Sequence, residues 1–343
     1  MRLFYLINEP FDGYQTGYRK ALSELIKEGV LSDINYYSFL PKFHDNQNWQ
    51  TTISDIKTKI KLFYPDIILV AHLNKKTPIS RSDYEEINSI LNKKPIWIYD
   101  ERDVYGYLRK PLPKSILNFA ANCDLVTLVT NGKMMKRFKD AGAKNVLYLP
   151  HAFDANFGTE WNPSKKRKYD IIMIANRSRS RIPFKSMPGV KEREELVRKF
   201  AAIFGEKFAV FGKGWDGFLG NKGPINFFEQ EKVLRQSWLS IGWDHFYKLE
   251  GYYSDRLPIA LVSGVPHLTY RTPGVDTLFQ DKKHIYFFEN VEQAVNIAKE
   301  LLSKDKNELN KIGQTASEFV KNNFSECKRL KKMIEFTKGI NND

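Results

Sequence analysis

An α/β protein with two doubly wound, parallel-sheet halves is the fold class this sequence predicts, and three observations carry it. Apolar runs of strand length alternate with helix-period segments along nearly all of the 343 residues, the pattern of parallel sheets covered by helices. The length itself favours two domains of ordinary size. The alternation breaks once, at residues 156–168, where Gly158, Pro163 and the run Lys165-Lys166-Arg167-Lys168 read as a linker.

The first domain, residues 1–155, takes strands at 3–7, 34–39, 66–71, 95–99, 125–129 and 146–149. Helices fall between them near 15–28, 51–63, 82–92, 114–120 and 132–140. Ile67-Ile68-Leu69-Val70-Ala71 is apolar throughout, as a central strand covered on both faces must be. Asn131 and Gly142 supply start and stop signals for the helix near 132–140. The second domain, 169–324, restarts at Tyr169–Ile174 and adds strands near 207–211, 238–242, 267–270 and 284–288. Its helices lie near 190–203, 228–236, 254–263, 291–302 and 306–323. An amphipathic segment in the stretch 325–343 is expected to cross back onto the first domain. Two Rossmann-like halves of this kind bind ligands at the carboxyl ends of their strands, across a central cleft.

Composition excludes several classes. An apolar fraction of 42% with 14% aromatics supports two packed cores and argues against disorder. No apolar run approaches the roughly 20 residues a bilayer span needs. Met1 to Ile7 is too short for a signal segment and reads as a first strand. Two cysteines, Cys123 and Cys327, are too few for a disulfide framework or a zinc site, so a cytoplasmic location is the default. No H-E-x-x-H, C-x-x-C or G-x-S-x-G motif is present. The net charge of +14 suits a polyanionic small substrate, DNA, or peripheral contact with the anionic inner face of a membrane. A lysine excess spread evenly over the surface gives the same total.

Residues 252–279 are the most informative stretch. Ser254 and Asp255 read as a polar cap opening a short apolar helix, Gly264 ends it, and Pro266 starts a buried strand. The free N–H groups of a helix start attract anions, and Arg256 and Arg271 are placed to bracket a diphosphate. At the end of the strand that opens the second domain, Asn176-Arg177-Ser178-Arg179 presents planar donors that suit phosphate; pairing with Glu192, Glu194 or Glu195 is the alternative. Gly212-Lys213-Gly214-Trp215, at the next strand end, reads either as a backbone cradle with one point charge or as a tight turn beneath a packed Trp.

In the first domain Asp100, and after it Asp103, stand at a strand end where a carboxylate can take a proton from an acceptor hydroxyl. The alternative there is helix capping with an ion pair to Arg102. His72 closes the strand at 66–71 and His151 follows the last strand of the domain; each is either structural or a hydrogen-bond partner of the substrate. The loop from Asn8 to Tyr18 carries Gly13 and Tyr14 but no G-x-G-x-x-G, so dinucleotide binding is not expected there; its aromatics either stack on a sugar or base or simply pack.

With these positions in view, the chain resembles the GT-B glycosyltransferases, closest to the group-1, CgeB-like branch. The resemblance rests on Asp124-Leu125-Val126, Thr130-Asn131-Gly132, Tyr148–Asp154, Asp170-Ile171-Ile172, Phe211–Trp215, Ser254–Leu257, Ser263–Pro266 and Gly274–Phe279. It implies a nucleotide-diphosphate sugar, expected to be a UDP-sugar, as donor on the second domain, with no obligatory metal. Asn176, Arg177, Arg179, Gly212, Lys213, Ser254, Asp255 and Arg256 then fall at donor contacts, Gly13, Tyr14 and His72 at acceptor contacts, and Asp100, Asp103 and His151 at the chemistry. The Glu that binds the nucleotide ribose in that family is Ile259 here. A weaker resemblance, to phage β-glucosyltransferases acting on hydroxymethylcytosine, makes DNA an alternative acceptor to a glycan or lipid-linked saccharide.

Overall fold

The computed structural model describes residues 1–104, 113–163, 166–178 and 186–340. It divides into two compact units: residues 1–150 with the terminal helix from Glu326, and His151–Ser325. Residues 156–163 and 166–168, read from the sequence as linker, therefore lie in the second unit. Phe157 is buried in its core, and the guanidinium groups of Arg167 and Arg235 both lie over the Trp161 ring, 4.8 and 5.1 Å from its centroid.

In the first unit the strands are β1 (Arg2–Ile7), β2 (Asp33–Ser38), β3 (Ile67–Ala71), β4 (Ile96–Glu101), β5 (Leu125–Leu128) and β6 (Val146–Tyr148). They form one parallel sheet in the order β2-β1-β3-β4-β5-β6. Asp66 and Asp124 tie neighbouring strand starts together, accepting the N–H of Arg2 and of Trp97, each at 2.8 Å. The helices are α1 (Thr16–Lys27), α2 (Phe39–Asn46), α3 (Trp49–Phe63), α4 (Arg81–Ser89), α5 (Lys114–Asn122) and α6 (Gly132–Asp140). Helix α3 shows how the sequence dictates an element. Asn48 caps it by accepting the Gln50 N–H, and Ile53, Ile56, Ile60 and Phe63 form a buried stripe.

The second unit holds β7 (Tyr169–Ile174), α7 (Val190–Phe204), β8 (Phe208–Phe211), α8 (Gln230–Leu234), β9 (Ser237–Gly242), α9 (Arg256–Val262), β10 (His267–Tyr270), β11 (Tyr286–Phe288), α10 (Val291–Ser303) and α11 (Lys306–Asn323). Its parallel sheet runs β11-β10-β9-β7-β8. Along β7, Ile171 and Met173 enter one core, whereas Ile172 and Ile174 face the other, as the two-residue period of a doubly covered strand requires. Helix α9 has seven residues, buried from Leu257 to Val262. Its expected polar cap is absent: the Asp255 side chain makes no capping bond, and the Ser254 N–H goes instead to Asp244. The last helix, α12 (Glu326–Ile340), belongs to the first unit and packs on α1 through a stripe that includes Leu330, Met333 and Ile334.

Each strand order reverses once, between β1 and β3 in the first unit and between β7 and β9 in the second. Crossovers leave the sheet in opposite directions at such a point, opening a crevice at the strand carboxyl ends.

Candidate active site

In the second unit a pocket lies at that reversal. Ile174 and Ala175 from the end of β7, Gly242 to Asp244 from β9 and Thr269 from β10 line it, with Ser254 and Arg256 at the start of α9. Arg193 of α7 completes it. Arg193 is 2% exposed and donates to the carbonyls of Trp243 and, at 2.8 Å, Asn176. Burial pulls its guanidinium down to about 10; Asp244 opposes this and Arg256 adds to it, so the group stays charged at neutral pH. Among the described residues neither Arg193 nor Arg256 has a carboxylate within ion-pair distance. Two guanidinium groups on one pocket, neither of them ion-paired, can together hold an anion. Burial lowers His267, also in the pocket wall, to about 3, and its Nδ1 shares a 2.8 Å bond with Ser240. It is therefore neutral.

The other expected donor contacts divide. Asn176 accepts the Lys213 N–H at 2.9 Å through Oδ1, and the Arg177 N–H binds the Lys213 carbonyl at 2.9 Å, stitching the two strand-end loops together. Gly212 is needed for this. A Cβ there would sit 2.1 Å from the Ala175 carbonyl oxygen, and its φ is +144°. The loop glycines thus permit loop-on-loop packing over Trp215, which is fully buried and donates to the Ala175 carbonyl at 2.6 Å. Lys213 is exposed and outside the pocket wall. Arg177 is a correction: its Nε is 2.6 Å from Glu194, so the ion-pair alternative holds and its charge is already matched. Arg271 is likewise taken, by Asp281 at 2.6 Å. Arg179 lies outside the described residues. Ile259 is 1% exposed in the apolar core.

At the carboxyl ends of β3, β4 and β5 the first sheet carries a polar cluster. Asp100 is 2% exposed. Arg329 holds both its oxygens, Arg102 reaches Oδ2 at 2.8 Å and Thr127 reaches Oδ1 at 2.7 Å. Burial opposes ionisation, yet Arg329 and Arg102 hold the carboxyl well below the usual range. Such a group cannot take a proton from an alcohol, and Asp100 as base is overturned. Its neighbour Glu101 accepts His72 Nδ1 at 2.7 Å, Tyr99 Oη at 2.6 Å and the Asp103 N–H at 2.8 Å. Burial works against the His72 charge, but Glu101, then Asp103 and Asp100, outweigh it and raise the imidazole to about 9. The Asp103 carboxylate stands 3.9 Å from His72 Nε2.

Glu9, missed in the sequence, organises the adjoining loop. Its buried carboxylate accepts the N–H groups of Gly13 and Gln15 and binds Arg19 at 2.7 Å. Gly13 takes φ +82°. Tyr14, 39% exposed, stands edge-on to Phe11 at 5.0 Å. Asn8 ties this loop to the His72 carbonyl at 2.6 Å. The structure thus brings Gly13, Tyr14, His72 and Asp103 to one end of one sheet. His151 lies in the second unit instead, edge-on to Tyr252 at 6.1 Å, with its carbonyl accepting the Tyr253 hydroxyl at 2.9 Å.

Known proteins share this architecture. A family model described as "Glycosyl transferase-like" matches residues 191–335. Anabaena HepE, solved with UDP and glucose, superposes at TM-score 0.63 with 11% identity, covering 98% of this chain and 99% of that one. A glycosyltransferase from Rickettsia africae gives 0.60 at 14% identity, covering 99% and 98%. The fold is GT-B. A trehalose-6-phosphate synthase shares this GT-B fold at TM-score 0.61 and 10% identity, covering 100% and 99%. No curated protein matches the chain in sequence. Among the described residues no helix is long and apolar enough to cross a membrane, and no group of His, Cys, Asp and Glu is set to hold a metal ion.

Proposed function

We propose that this chain is a glycosyltransferase that moves a sugar from a nucleotide diphosphate, of which a UDP-sugar is the first candidate, to a hydroxyl acceptor. The observation that carries the reading is the pair Arg193 and Arg256, neither within ion-pair distance of a carboxylate among the described residues, on a pocket at the strand reversal of the second unit. Breaking the glycosidic bond leaves negative charge on the diphosphate. Fixed guanidinium groups stabilise that charge without reorganising at the moment of reaction. Ser254 and Asn176 support the pocket, and Lys213 adds an exposed cation on the neighbouring loop. The match of residues 191–335 to a glycosyl transferase-like model and the UDP complex of HepE support a nucleotide-sugar donor.

The acceptor half of the reading falls on the first unit. His72, cationic below about pH 9, and Tyr14 offer donors and an aromatic face to an acceptor. Asp103, 3.9 Å from His72 Nε2, is the carboxylate proposed to receive the proton in place of Asp100, which is held by Arg329. A glycan is the acceptor class this arrangement favours, because an exposed aromatic beside carboxylates suits a sugar ring and its hydroxyls. The test is release of UDP from UDP-glucose, UDP-galactose and UDP-N-acetylglucosamine, with and without neutral oligosaccharides or hydroxymethylated DNA. Turnover raised by an oligosaccharide supports the reading. No turnover of any nucleotide sugar with any acceptor removes it.

A further inference from the structure

We propose that Asp244 reads the hydroxyl groups of a ribose, so that the pocket selects a ribonucleoside diphosphate over its deoxy counterparts. The inference rests on the donor reading above and names the part of the ligand that Asp244 would bind.

Asp244 follows the buried Trp243 at the end of β9 and is the one carboxylate among the residues lining the pocket. One of its oxygens, Oδ2, accepts the Ser254 N–H at 3.0 Å. The other has no hydrogen-bond partner among the described residues, and neither Arg193 nor Arg256 lies within ion-pair distance of it. A carboxylate on a pocket that holds an anion repels the phosphates. The arrangement makes chemical sense when the ligand also carries neutral hydroxyls, because a carboxylate is acceptor-only and takes two neighbouring O–H donors well. An acidic residue at a strand end plays this part for the ribose in dinucleotide sites. Helix α9 has no acidic residue of its own to offer.

The substitution that isolates this is Asp244→Asn. The amide oxygen can keep the Ser254 N–H, while the second acceptor becomes an NH2 group, so the fold is retained. The probes are UDP, 2′-deoxy-UDP, 3′-deoxy-UDP and inorganic pyrophosphate, titrated calorimetrically into the full chain. Wild type should prefer UDP over a deoxy form by about tenfold or more, the scale of one hydrogen bond to a charged group. In the variant that ratio should fall to within about twofold, while pyrophosphate binds as tightly as before or more tightly. UDP and both deoxy forms binding wild type equally would overturn the inference. So would an unchanged ratio in Asp244→Asn. Both outcomes leave the donor reading standing. Failure of wild type to bind any of the four probes would remove the donor reading and this inference with it.

Discussion

Arg329, on the terminal helix, holds both carboxylate oxygens of Asp100 at the end of β4, with Nη2 2.7 Å from Oδ1 and Nη1 2.9 Å from Oδ2. Both side chains are 3% exposed. The pair fastens α12 to the first sheet and withdraws Asp100 from proton chemistry. Removing one partner leaves the other charge buried and unmatched, at a cost of about 3–5 kcal/mol. Arg329→Ala should therefore lose that much stability in urea unfolding. The sign with pH follows from the depressed carboxyl. Its stabilisation is present above the unfolded value of about 3.9 and is lost as pH falls below it.

His72 has the opposite sign. Its pKa is raised to about 9, so its contribution is complete below the ordinary value of about 6.5 and fades as pH rises through about 9. Glu101→Gln removes the carboxylate that holds Nδ1. An NMR titration of the His72 ring should then move its midpoint down toward the ordinary range; a midpoint still near 9 would detach His72 from Glu101.

Gly212 tests the loop pairing. Alanine there meets the Ala175 carbonyl and a left-handed φ, whereas Gly217, φ +78°, opens onto empty space. Gly212→Ala should cost about 1–3 kcal/mol beyond Gly217→Ala in thermal unfolding, the usual range for overpacking. Equal losses would mean the two loops are free to separate.

Arg193 and Arg177 make opposite predictions although both follow the same sheet. Arg177 is matched by Glu194, so Arg177→Ala should leave UDP affinity within about twofold, the small effect of a non-contacting charge. Arg193→Lys keeps the charge but loses the planar fork and its bonds to two carbonyls. It should weaken UDP at least about tenfold.

The elements were largely legible because strand and helix periods differ, and the pattern changes at each boundary. Helix α2 was not. It follows β2 without a break, and Pro41 in its first turn reads as a helix breaker although Pro is tolerated there. Arg256 was legible from its place beside a Gly- and Pro-bounded apolar run. Arg193 was hidden among Lys191, Glu192, Glu194 and Glu195, which together look like a solvated face. Its signal was spacing: the buried positions of α7 are 190, 193, 196, 197, 200 and 201, so a charged residue occupies the apolar stripe. Arg329 and Glu326 carry the same mark in α12. Partner choice was legible only in part. The sequence offers Arg177 the three acids Glu192, Glu194 and Glu195 without deciding among them, and nothing local tells Asp100 to meet a residue 229 positions away.

The most direct test of the account is calorimetric titration of UDP into wild type and Arg256→Ala. Arg256 is partly exposed and has no ion-pair partner among the described residues, so its loss should not move the melting temperature of the free protein. The account predicts that wild type binds UDP and that Arg256→Ala binds it at least about tenfold more weakly, the loss of one charge-assisted contact. Equal affinity in the two proteins, or no binding by wild type, would contradict it.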